Sequence, residues 1–272
     1  MLLDTTALRT TAQPGTSPRG TSPRGTALRT TALVRHNTVL LLREPGPLAS
    51  RMILPLVFVT LLRPLYTAAE GTAAGTVQAV TGTLVTFSLL ALSIVGGAIL
   101  TERLWHTWER LRSSAAHPLE ILTGKALPVL GALLAQQVLV LGFGAAVLGM
   151  RLDHLPLLGL ALLCWTLTLL GIGSALGVAA RTHGELSAAY DIGGMLLSSL
   201  GGAFVPLAAL PHWVRAVAPA SPGYWGVSAL HAALAGDVSR VLACGAVLLG
   251  FTLAAGLLAV RGLRRASSRS VL

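Results

Sequence analysis

The residues able to do chemistry are few, and they do not converge. The one Gly-Lys pair is Gly124-Lys125. Ala126 follows it where a magnesium-binding hydroxyl would be needed, and Leu119 occupies the upstream glycine position. A phosphate-binding loop of the GxxxxGK[ST] type is therefore excluded, and with it nucleotide hydrolysis by that route. HExxH and GxSxG patterns are also missing. The histidines lie scattered at positions 36, 106, 117, 154, 183, 212 and 231, mostly where apolar runs end, and read as interfacial polar residues. Cys164 and Cys244 each sit inside an apolar run with no CxxC partner or neighbouring metal ligand, so they read as small packing residues. Asp191, beside Tyr190, is the one acid placed just inside an apolar run. An acid at membrane depth points to transport or gating, or else to a local hydrogen bond. Nothing here predicts a catalytic residue, a metal site or a bound cofactor in this chain.

The elements that carry these residues are set by composition. Of the 272 residues, 53% are hydrophobic and 11% are charged. Soluble domains carry about 25% charged residues, so lipid is the natural solvent for this chain. Its net charge of +10 would suggest nucleic acid in a soluble protein. Here the arginines cluster at the ends and between apolar runs, which is what membrane topology demands, and nucleic acid is not expected as a partner.

Residues 1–31 repeat themselves. Gly15-Thr16-Ser17-Pro18-Arg19 is followed at once by Gly20-Thr21-Ser22-Pro23-Arg24, and Thr6–Ala12 recurs as Thr26–Ala32. Lacking aromatic residues, this stretch is expected to be a disordered tail. No apolar run follows its early arginines, so it does not read as a signal peptide. Residues 32–46 predict a short interfacial helix. Apolar runs of membrane-spanning length then fall at about 48–66, 79–100, 126–148, 155–179, 188–209 and 241–260. Placing the N-terminus in the cytoplasm puts every Lys and Arg on or near the cytoplasmic side except Arg63, Arg151, Arg215 and Arg240. The expected fold is thus all-α and integral to the plasma (inner) membrane, with about six spans. Both termini are expected in the cytoplasm, and residues 266–272 form a basic tail there. Two connections are long: a charged, aromatic cytoplasmic stretch at 101–125 and an external Pro-, Gly- and Trp-rich stretch at 210–240.

Three segments resemble the permease subunit of an ATP-binding cassette (ABC) transporter of the type-2 exporter class, and within it the daunorubicin-resistance permease group. Arg43-Glu44-Pro45 with Pro55 resembles that family's entry into the first span. Glu102-Arg103, Thr107-Trp108-Glu109-Arg110-Leu111, Pro118 and Gly124-Lys125 resemble its cytoplasmic segment, with Leu104 where a second acid is common and His106 where a glycine is common. Gly201-Gly202-Ala203-Phe204-Val205-Pro206-Leu207, Leu210-Pro211-His212-Trp213 and Ala218–Trp225 resemble its external segment, where re-entrant helices follow the fifth span. The resemblance covers about 33–265, within a transmembrane domain drawn at 32–265.

The resemblance implies a separate ABC ATPase subunit that carries ATP and Mg, and a second permease copy, identical or related. It implies docking of the ATPase on a cytoplasmic coupling hairpin through Glu102, Arg103, Trp105, Trp108, Glu109 and Arg110. The bland alternative is an interfacial helix whose tryptophans anchor at headgroup level. It further implies a translocation path or re-entrant segment that includes Asp191, Phe204, Pro206, Pro211, Trp213, Pro222 and Tyr224. The alternative there is a plain external loop with an aromatic belt. An amphipathic drug or lipid-like cargo is expected from the apolar walls, with a polysaccharide or lipid-linked glycan as the next option. The rival class is a stand-alone channel or scaffold.

Overall fold

Runs of apolar residues long enough to cross a bilayer decide most of the elements. The computed structural model describes residues 23–43, 45–104 and 118–269. Ten α-helices lie among them: α1 (Pro23–Leu42), α2 (Pro45–Glu70), α3 (Thr72–Leu90), α4 (Leu92–Leu104), α5 (Pro118–Ala146), α6 (Leu155–Ala179), α7 (His183–Leu200), α8 (His212–Val217), α9 (Pro222–Ala235) and α10 (Val238–Arg269). Short 3-10 turns at Leu207–Ala209 and Ala218–Ala220 flank α8. No strand forms among the described residues.

Five stretches are long and apolar enough to cross a membrane: Ala49–Glu70, Thr72–Thr101, Ala126–Ala146, Leu155–Ala179 and Val238–Gly262. The expected fifth span at 188–209 is not one of them. Its helix, α7, starts earlier, at His183, and stops at Leu200. The start is fixed by a capping box: Thr182 Oγ1 accepts from the Glu185 amide at 3.1 Å, and the Glu185 carboxylate accepts from the Arg181 amide at 2.8 Å. The stop is fixed by Gly202 at φ 78°, a conformation that suits glycine and cannot continue a right-handed helix. The first helix also differs from expectation. It begins at Pro23, inside the stretch expected to be disordered, and packs on α5.

Three connections at one end of the bundle turn through glycines with positive φ, Gly71, Gly149 and Gly236. This is termed the Gly71 end. The opposite end holds the α6–α7 turn at Arg181. The start of α2 and the span-forming end of α10 both lie there. Arg51 reaches Ser93 of α4, and Gly262 lies against Val178 near the end of α6. Helix α10 begins at the Gly71 end, where Asp237 caps it by accepting from Ser239 Oγ at 2.7 Å and from the Arg240 amide at 3.0 Å. These bonds hold the Asp237 carboxyl below the usual carboxylate range, the Arg240 amide contributing most.

Helix α3 is the axis of the fold. In the Thr72–Thr101 span, 67% of the most apolar window is buried, against 17% in α2 and 28% in α5 and α10. Its Leu84 and Leu89 join Trp165, Leu169, Leu230 and Leu248 in one apolar core. Close helix approach depends on missing side chains. A Cβ on Gly177 of α6 would lie 2.6 Å from the Gly96 carbonyl oxygen of α4, and one on Gly173 would lie 2.6 Å from Val95 Cβ. Cys164 and Cys244 are buried and their thiols are free.

Candidate functional site

The Gly201–Gly202 break leaves carbonyls without helical partners inside an apolar bundle. Leu197 lies fourteen residues along α7, about 21 Å from its start at the rise of an α-helix, so the break is well away from the Arg181 end. The chain then travels toward the Gly71 end and returns. Ser221 Oγ donates to the Leu197 carbonyl at 2.6 Å and accepts from the Gly223 amide at 3.1 Å. It is thus both the cap that starts α9, with Pro222 behind it at the first helical position, and the staple that holds α9 to α7. The two backbones touch where they cross. A Cβ on Gly201 would lie 2.6 Å from the Tyr224 nitrogen, and one on Gly223 would lie 2.8 Å from the Leu197 oxygen. Helix α9 then climbs past Trp165, whose ring abuts Gly226, to Gly236 beside His154. Its 14 residues give about 21 Å, too short for a bilayer core of about 30 Å.

A row of polar side chains on α2 and α3 satisfies this broken backbone. Gln78 Nε2 donates to the Gly202 carbonyl at 2.9 Å and to that of Ala203 at 3.4 Å. The Tyr66 hydroxyl donates to the Phe204 carbonyl. Thr81 pairs with His231 of α9 at 2.8 Å, and Thr86 pairs with Ser198 of α7. Buried backbone groups in lipid need such partners, because water cannot supply them. A second polar seam ties α5, α6 and α10 together. Gln137 and Thr166 exchange hydrogen bonds at 3.1 and 3.2 Å, and Thr168 donates to the Leu248 carbonyl at 3.0 Å. Gln78→Leu is expected to lower the stability of the detergent-solubilised protein by roughly 1–3 kcal/mol, the cost of orphaning a buried acceptor. Thermal unfolding in detergent measures it, and an unchanged midpoint would mean that water reaches the Gly202 carbonyl.

Beside this seam Phe58, Tyr66, Thr83, Thr86, Phe87 and Phe204 close around a gap too small to admit water. Phe58 and Phe87 meet edge to face with ring centroids 5.1 Å apart.

The expected path residues divide into groups. Pro222 and Tyr224 begin α9 at the α7–α9 crossing, where Tyr224 also packs edge-on against Trp225 at 5.1 Å, whereas Phe204 lies beside Tyr66 and Phe58. Pro206 precedes the first 3-10 turn, and Pro211 caps α8. Trp213 is 68% exposed on α8. Asp191 does not face the bundle interior. It is exposed on the outer face of α7, together with Ile192, Met195 and Leu196. Of the docking residues, Glu102 and Arg103 lie in the last turn of α4, and Trp105, Trp108, Glu109 and Arg110 fall outside the described residues.

Sequence reasoning did not single out Gln78, Tyr66, Thr81 or Ser221, and it read His231 as interfacial. The available signal was the density of hydroxyls and one glutamine in Thr72–Ser88, high for an apolar span. Among the described residues no group of His, Cys, Asp and Glu is arranged to hold a metal ion.

The sequence profile of the ABC-2 type transporter family matches residues 29–235. No curated protein matches the chain. The match takes in α2 to α9, from the first spanning helix to the end of the stapled return segment. With its apolar helices and without a phosphate-binding loop, the chain belongs to the ABC-2 type transporter family and is a multi-pass permease subunit, the membrane component of such a transporter.

Proposed function

We propose that this permease exports an amphipathic drug or lipid-like molecule across the plasma membrane, driven by a separate ATPase subunit, as in the daunorubicin-resistance group it resembles. The observation that carries the reading is the helix break at Gly201–Gly202, with its carbonyls held by Gln78 and Tyr66. Irregular backbone at membrane depth is tolerated where protein buries it or where it lines a passage. Here it adjoins the aromatic cluster of Phe58, Phe87 and Phe204.

In this reading the Arg181 end faces the cytoplasm, in keeping with the bias of Lys and Arg toward that side, and both termini lie there. The Gly71 end and the return segment face outward. ATP and Mg reside on the partner, which docks on the 101–125 stretch. A second permease copy completes the passage, and the apolar outer face of α7 around Asp191, Ile192 and Met195 is a surface it could cover. The test is purification of the C-terminally tagged chain in mild detergent. A stoichiometric partner carrying a phosphate-binding loop, with hydrolysis dependent on this chain, is the expected result. A preparation free of ATPase, from cells expressing a neighbouring one, would instead favour a self-sufficient channel or scaffold.

A further inference from the structure

Among the described residues, Arg51 has a buried guanidinium nitrogen that the fold leaves without a partner. It sits in the second turn of α2, half-buried, and one guanidinium nitrogen donates to Ser93 Oγ of α4 at 2.6 Å. Its other terminal nitrogen, Nη1, is buried and has no partner. Tyr190 of α7 lies within electrostatic reach, but its hydroxyl is paired with Ser187 Oγ at 3.0 Å. Asp191, the next residue, is exposed on the outer face of α7, and no described acid forms an ion pair with Arg51. A buried guanidinium donor left unmade is costly, more so than a neutral one, and it points to an anion that completes the site.

The surroundings give the rest of the ligand its shape. On α2, Leu54 and Leu61 follow Arg51 by three and ten residues, on nearly the same flank, and are 47% and 70% exposed. A cation at one end and an exposed apolar flank beyond it match a molecule with an acidic head and an apolar tail. Basic pockets between membrane helices bind anionic headgroups on the same principle.

We infer that this site binds an anionic amphiphile, with its phosphate or carboxylate head on Arg51 and Ser93 and its tail along the Leu54–Leu61 flank of α2. The head could belong to a resident phospholipid or to a cargo, and the chemistry is shared. The inference deepens the export reading, which it needs only for the use made of the ligand.

The experiment takes the purified full-length chain in detergent and measures retention of phosphatidylglycerol against phosphatidylcholine by native mass spectrometry. Wild type is expected to prefer phosphatidylglycerol by at least about tenfold, the range of a charge-assisted hydrogen bond. Arg51→Gln should abolish the preference. Arg51→Lys keeps the charge but not the forked donor, and should retain the preference at reduced strength. Its unfolding midpoint shows whether the fold tolerates change at this position. Dodecyl phosphate is then added. Displacement of the lipid marks a site open to cargo, and persistence of the lipid marks a resident site; both support the inference. Equal retention of the two phospholipids by wild type, or an undiminished preference in folded Arg51→Gln, would overturn it. No ATPase enters these measurements. A chain that binds as expected yet activates no ATPase would sink the export reading and leave the Arg51 site standing.

Discussion

Gly82→Ala is expected to destabilise the protein by roughly 3 kcal/mol, the upper end of what overpacking a fitted core costs, although a single methyl group is all that is added. A Cβ at Gly82 would lie 2.1 Å from the Ala203 carbonyl oxygen and 3.1 Å from its carbon. Both atoms are backbone, so no rotamer change relieves the overlap. The return segment would have to move, and Gln78 Nε2 would then lose the Gly202 and Ala203 carbonyls that it holds from one turn earlier on the same helix. The control is Gly131→Ala on α5, where a Cβ would have nothing within 4 Å. There the helix propensity of alanine acts alone and favours the variant by up to about 1 kcal/mol. One chemical change is thus expected to have opposite signs at two helical glycines. Thermal unfolding of both variants in detergent reads the difference. A Gly82→Ala protein as stable as wild type would show that the return segment is not seated on α3.

That contrast also marks how far the sequence could be read. The span at 155–179 coincides with α6 to the residue, and 126–148 overshoots its helix by two, because length and apolarity are local properties and a bilayer imposes both. The run at 188–209 is less apolar, carrying Asp191, Ser198 and Ser199, and its helix ends at Leu200. Hydropathy does not register a backbone that turns through positive φ at Gly202. The polar seam was hidden for another reason. Gln78 finds its acceptor 124 residues away in sequence, and that acceptor is a carbonyl, which every residue carries. Nor did helical periodicity help, since α3 is enclosed on nearly all sides and shows no polar stripe to separate from an apolar one. Asp191 was conspicuous as an acid within an apolar run, but its direction depends on the rotation of α7. That rotation is fixed by Gly194 against Leu89 and by Ser198 against Thr86, contacts made across the bundle.

Glu109→Arg is expected to abolish stimulation of the partner ATPase, at least 100-fold, while leaving insertion of the chain in the membrane intact. The stretch that carries Glu109 already holds Arg103, Arg110 and Arg112. Reversing Glu109 adds a cation beside Arg110 and Arg112 and raises the net charge of 101–125 by two. Like-charge juxtaposition at an interface costs several kcal/mol, and each 1.4 kcal/mol is tenfold in affinity. Added positive charge strengthens the bias of Lys and Arg that orients the chain, so insertion has no reason to fail. Glu109→Gln removes the charge without reversing it, and should give an intermediate loss if electrostatics is the cause. The effect should reach the return segment through a continuous contact path. Helix α4 carries Glu102 and Arg103 in its last turn, is clamped to α6 where Gly96 meets Gly177, and follows α3 after the single residue Ala91. Helix α3 in turn holds the carbonyls of Gly202 and Ala203. A displacement applied at the 105–117 stretch is therefore expected to pivot about the Gly96–Gly177 contact and act on the seam at Gln78. Hydrolysis by the purified complex, with membrane extraction of the chain as the insertion control, is the measurement. Full stimulation in Glu109→Arg would remove this stretch from the docking surface and place the coupling contact elsewhere on the Arg181 end.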